Sequence, residues 1–215
     1  MMGLLIKDFK LLKGQRNMLF MMVAIAACFV ATGNDITFIM SYLTFIATFF
    51  VTSTISYDEY NKSNVFLLTL PVTRKEYAKE KYILGFIVCI SIWLLTTIAC
   101  TVYKFNAQGQ FVLTEWLQTA ILILCIPMFL LSFMIPTQIK YGGEKGRIAM
   151  IAVIGIVFVI GFAIYMLCQY LNIDINAIIA DISNLQVVLF GVLATLLALL
   201  TSYFVTLKVM HNKQF

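Results

Sequence analysis

Charge is scarce in this chain, and histidine scarcer still. Only 12% of its 215 residues are Asp, Glu, Lys or Arg, against about 25% in an ordinary soluble domain. The single histidine, His211, stands near the C-terminus, so a zinc site or a Ser–His pair has no material within the apolar segments. No His-Glu-x-x-His run is present, nor a Gly-x-x-x-x-Gly-Lys-Ser/Thr phosphate loop. Gly142-Gly143-Glu144-Lys145-Gly146 is rich in glycine but lacks that spacing and the Lys-Ser/Thr pair, and it reads as a flexible inner loop. Acids and bases are also missing from the middle of every long apolar run, which leaves a proton- or ion-driven transporter little to work with. Energy is expected to enter from outside the chain. The chain itself is expected to be no enzyme and to carry no catalytic residue, cofactor or metal.

What is abundant is apolar surface. Hydrophobic residues make up 62% of the chain and the mean hydropathy is +0.96, which implies an all-α, polytopic membrane protein forming a single transmembrane domain over 1–215. With about 17–25 residues needed per crossing, six spans are expected, at 17–32, 36–56, 82–103, 114–138, 148–171 and 185–207. Pro127 and Pro136 fall in the fourth, where a kink is expected because proline removes a ladder bond. Cys28, Cys89, Cys100, Cys125 and Cys168 all lie in apolar runs; they read as small packing groups, with no disulfide. Ile25-Ala26-Ala27-Cys28 has the look of a lipoprotein cleavage site, but the first segment is expected to remain as an uncleaved span.

The basic residues then fall into a pattern. On the six-span layout every Lys and Arg except Lys104 lies on one side, while Asp35, Glu115, Asp174 and Asp181 lie on the other. Both termini are therefore expected in the cytoplasm. The net charge of +5 becomes a bias towards anionic membrane lipid and cytoplasmic partners, and no nucleic-acid role is expected. Before the first span, Leu5, Phe9 and Leu12 recur at helical spacing and Lys7, Lys10 and Lys13 turn to another face, which predicts an interfacial helix over 1–16. In the outer segment 172–184, Ile175, Ile178, Ile179 and Ile182 follow helical spacing behind an N-cap candidate, Asp174. A re-entrant element and a surface helix both fit.

Two polar patterns lie inside spans. Thr37, Ser41, Thr44, Thr48 and Thr52 occupy one face of the second. Hydroxyls can satisfy themselves on their own helix, so the stripe reads either as a packing seam or as the lining of a translocation path. Ala194, Ala198 and Ser202 recur every four residues in the sixth span and read as a helix contact.

The densest charge lies between the second and third spans, at 57–81. Thr73 and Glu76 have the spacing of a capping box, with Val72 and Tyr77 placed as a hydrophobic staple. Pro71 keeps any earlier helix from running through. A helix is therefore predicted to start at Arg74 and run through the third span to Tyr103, its charged beginning projecting into the cytoplasm as a stalk. Upstream, Val65, Phe66, Leu67, Leu68 and Leu70 form an apolar patch after Asp58, Glu59 and Lys62, which suits a short helix lying on the inner face as a docking element.

The run from Tyr57-Asp58-Glu59 through Leu67-Leu68-Thr69-Leu70-Pro71-Val72-Thr73-Arg74-Lys75-Glu76 to Lys81-Tyr82 resembles the signature of type-2 ABC exporter permeases. The six-span layout with an N-terminal interfacial helix is similar along the whole chain. The resemblance implies a permease subunit that pairs with a second permease, identical or paralogous, and binds two separately encoded ATPase subunits. It implies that Glu59, Lys62, Phe66, Leu67, Leu70, Pro71, Thr73 and Arg74 form the ATPase-coupling element, and that transport is outward. Small bacterial members include permeases similar to those of phenol-soluble modulin and antimicrobial-peptide exporters. An amphipathic or hydrophobic substrate, a peptide foremost, is expected. A membrane receptor or immunity protein that docks a cytoplasmic partner without transport is the alternative, and an intramembrane enzyme is disfavoured by the missing catalytic groups.

Overall fold

Apolar runs without a strand period leave the backbone one inexpensive way to satisfy its own hydrogen bonds in hydrocarbon, which is helix. The computed structural model describes residues 2–31, 35–60, 73–108, 112–170 and 184–212, and the described segments are helical with no strand among them. In order they are α1 (Met2–Gly14), α2 (Arg16–Ala31), α3 (Ile36–Tyr60), α4 (Arg74–Gln108), α5 (Leu113–Tyr141), α6 (Gly143–Tyr170) and α7 (Asn184–Asn212). Among the described residues, four stretches are long and apolar enough to cross a membrane: Ile36–Asp58, Arg74–Phe105, Leu113–Tyr141 and Asn184–His211. Two further apolar stretches, Arg16–Val30 and Phe158–Leu167, are shorter.

Helix α5 is the hub. It packs most extensively on α7 and also meets α3, α4 and α6, while α2 rests chiefly on α3. The reason lies in its spacing: Met128, Leu131, Ile135 and Ile139 repeat at three or four residues and are buried. They meet Ala47, Val51 and Ile55 of α3 and Ala78, Leu84 and Val88 of α4. Gly85 lets α4 approach closely, since a Cβ there would stand 3.2 Å from a Leu131 methyl and 3.6 Å from one of Val51. A second apolar cluster, Met40, Trp116, Ala120 and Ile123, closes the other end of the bundle. There Trp93 Nε1 donates to the Ala120 carbonyl at 2.8 Å, and Lys104 stands 4.0 Å over the Trp116 ring. Helix α5 continues through both Pro127 and Pro136.

Three expectations are corrected. The glycine-rich stretch is not a flexible loop. Gly142 alone separates α5 from α6, at φ 85°, a left-handed conformation that favours glycine, and its amide closes α5 on the Gln138 carbonyl at 2.9 Å. Gly146 is already helical and packs on Gln138, where a Cβ would come within 2.7 Å of Oε1. Second, the charged start of α4 does not project as a free stalk: Lys75 and Lys79 are exposed, but Glu80 and Lys81 are completely buried. Third, the buried face of α1 is rotated from the predicted one. Leu4 and Asp8 are buried, Leu5 and Leu12 lean on the core, and Phe9 is exposed. The outer segment 172–184 lies outside the described residues except for Asn184, which opens α7.

Candidate functional site

At the end of the bundle where α1 packs, three helices each deliver a polar group one turn beyond another buried residue: Leu4 and Asp8 on α1, Thr54 and Asp58 on α3, Tyr77 and Lys81 on α4. The four-residue step stacks each pair on one face, so burying the first carries the second inward. Lys81 is the centre of the cluster. Its Nζ bonds Asp8 Oδ2, lies 2.9 Å from Asp58 Oδ2 and 3.4 Å from Thr54 Oγ1, and rests 5.1 Å from the Tyr77 ring centroid. Tyr77 donates its hydroxyl to Asp58 Oδ2 at 3.1 Å. Lys7, part-exposed, donates to Asp58 Oδ1 at 2.5 Å and stands 3.2 Å from Asp8 Oδ1. The buried Glu80 carboxylate is 3.7 Å from Lys81 Nζ. One buried ammonium thus bridges carboxylates from α1 and α3. Removing it would leave both with only the part-exposed Lys7 as counter-charge, close to the situation in which losing one partner of a buried ion pair is most costly.

Further polar ties join α3, α4, α5 and α7. Tyr82 Oη of α4 meets Ser202 and Thr206 of α7, and Ser202 in turn bonds the Ser132 carbonyl of α5. Gln138 of α5 donates to Ser56 of α3, and Gln15 donates to Ser53 at 3.0 Å.

The capping box forms as expected. Glu76 N donates to Thr73 Oγ1 at 3.2 Å, and Thr73 N donates to Glu76 Oε2 at 2.9 Å. Tyr77, the expected staple residue, is buried in the cluster; its partner Val72 lies outside the described residues. Arg74 Nη1 donates to the Met210 and His211 carbonyls, 3.1 Å each, so a guanidinium sits at the negative end of α7. Of the other expected coupling residues, Glu59 belongs to α3 with its side chain outside the described residues. Lys62, Phe66, Leu67, Leu70 and Pro71 lie outside them altogether.

The hydroxyl stripe of α3 is arranged differently. Thr44, Thr48 and Thr52 are buried, and each donates to a carbonyl three or four residues back in α3, as Ser41 does to the Thr37 carbonyl. Thr37 and Ser41 are only half-buried, and Thr37 lines a cavity of about 870 Å³ between α2, α3 and the far end of α4. Sequence reasoning missed Asp8 entirely. The available signal was a lone acid four residues after Leu4 in a helix whose other charges are Lys7, Lys10 and Lys13.

A family model described as ABC-2 family transporter protein matches residues 3–211, nearly the whole chain. The chain belongs to that family. It is therefore an ABC-2 type permease, a membrane subunit of a transporter whose ATPase is a partner protein. No curated protein and no solved structure matched it. In this permease the buried cluster takes on a specific position: it joins the last turn of α3 to the opening turns of α4, the two ends of the segment at 61–72.

Proposed function

We propose that this permease forms the translocation path of an ATP-driven exporter, with the segment at 61–72 as its coupling element. The observation that carries the reading is the Asp8–Lys81–Asp58 bridge. Both flanks of the coupling segment are fixed to each other and to α1, so a push on the segment moves α1, the end of α3 and the start of α4 together. Arg74, on the carbonyls of Met210 and His211, extends that unit to α7. Glu59, Lys62, Phe66, Leu67, Leu70, Pro71, Thr73 and Arg74 are the residues assigned to ATPase coupling. In this reading the chain has six spans, α1 lies in the cytoplasmic interface of a bacterial membrane, and both termini are cytoplasmic. Two permeases, identical or paralogous, bind two ATPases. The substrate is amphipathic or hydrophobic, a peptide foremost, because the helices offer mainly hydroxyls and apolar surface, with Asp35 and Lys104 the charged residues lining the α2–α3–α4 cavity. Burial of Thr44, Thr48 and Thr52 supports the seam reading for that part of the stripe, leaving Thr37, which lines the α2–α3–α4 cavity, and the half-buried Ser41 as its path-lining members.

The test is reconstitution of the permease with its ATPase. Arg74→Glu and Phe66→Asp are expected to weaken assembly and permease-stimulated ATP turnover while leaving membrane insertion intact. Wild-type assembly and turnover in both variants would remove the coupling assignment.

A further inference from the structure

The small-residue face of α7 does not close on a helix along its length. Ser202 is buried on α5, but Ala194 is exposed and Ala198 half-buried, and both line an open cleft between α5, α6 and α7. The cleft consists of two adjoining cavities of about 720 and 570 Å³ that share Phe133 and Thr137. The larger is walled almost wholly by carbon, with Phe129 on one side and Gly161 on the other, and nothing stands within 4 Å of where a Gly161 side chain would be. The smaller leads to the end of α5 and gathers the polar groups: Thr201, Ser202 and Lys140. Lys140 lies over the Tyr141 ring at 4.8 Å, and among the described residues no carboxylate pairs with it.

We infer that this cleft holds one anionic phospholipid, with its headgroup on Lys140 and one acyl chain running past Phe133 and Phe129. The chemistry is graded as such a ligand requires, with a cation and hydroxyls at one end and bare hydrocarbon beyond. Along α5 the distance from Lys140 to Ile126 is about 21 Å at about 1.5 Å per residue, within the roughly 30 Å hydrocarbon layer. A flexible acyl chain can follow the passage past Phe133 and Thr137, which line both cavities. Lys140, which meets no carboxylate among the described residues, selects an anionic headgroup, since one basic residue near an anionic surface contributes about 1 kcal/mol. The inference needs the membrane setting but neither the coupling assignment nor the substrate.

The experiment uses the full chain in phosphatidylcholine vesicles containing a phosphatidylglycerol probe with a photoreactive group in mid-chain, and maps the labelled residues by mass spectrometry. Labelling is expected to concentrate on Phe129, Phe133 and Phe162. Lys140→Glu and Lys140→Gln are expected to reduce it about fivefold, as a contribution of about 1 kcal/mol implies, without changing labelling by a matched phosphatidylcholine probe. Ala198→Phe, which fills the cleft, is expected to reduce both probes. Unfolding midpoints of the variants separate loss of the site from loss of the fold. Label spread evenly over the outward faces of α6 and α7, or undiminished phosphatidylglycerol labelling in both Lys140 variants, would overturn the inference. So would chain-to-chain cross-links through Phe133, which would give the cleft to a second copy.

Discussion

The polar groups buried in α3 and those buried around Lys81 obey opposite rules. Thr44, Thr48 and Thr52 find their acceptors three or four residues away in their own helix. Lys81 finds its main acceptors on Asp8, seventy-three residues away, and on Asp58. The first arrangement is available to any helix and specifies no partner. The second exists only when α1, α3 and α4 are assembled in one register. A local hydroxyl bond makes a span tolerable in lipid, whereas a long-range ion cluster makes one arrangement of the helices preferable to others.

The contrast can be tested from its strong end to its weak end. Lys81→Met is expected to cost about 3 kcal/mol, because two buried carboxylates lose their buried cation and keep only the part-exposed Lys7. Detergent-solubilised unfolding would measure it. Asp8→Leu, Asp58→Leu and Lys81→Met combined are expected to recover most of that loss. A cost below about 1 kcal/mol for Lys81→Met would show the cluster to be incidental.

Next in size is Gly146→Val, at about 1–3 kcal/mol from overpacking, since its Cβ meets Gln138 Oε1 at 2.7 Å and Gln138 Cα at 3.3 Å. Pairing it with Gln138→Ala in a double-mutant cycle should show a favourable coupling. Thr73→Ala removes the α4 cap for about 1 kcal/mol, and hydrogen exchange in the first turn of α4 should rise with it. The smallest effect belongs to the seam: Thr48→Val is expected to stay within about 0.6 kcal/mol, because the acceptor carbonyl keeps its helical bond. A larger loss there would give the stripe a partner beyond its own helix.

The same division explains what could be read in advance. The start of α4 was legible at Arg74, because a capping box is a contract among four consecutive residues and Thr73 and Glu76 honour it. The Thr stripe was legible as one helix face, though seam and path look alike until burial is known. Gly142–Gly146 misled because glycine is written identically for freedom and for close approach, and only the position of Gln138 decides which. The α1 face misled because Phe9 is the stronger apolar signal, yet Asp8 is buried once Lys81 and Lys7 neutralise it.

The sequence alone determined that this chain is helical, that its apolar segments belong in lipid, and where α4 begins. Those properties follow from hydropathy and from hydrogen bonds closed within a few residues. The tertiary structure alone decided that Glu80 and Lys81 turn inward, that Arg74 caps α7, and that Ala194 and Ala198 face an open cleft. Each depends on a group supplied by a distant helix, and the energy of burying a charge is set by what it meets there.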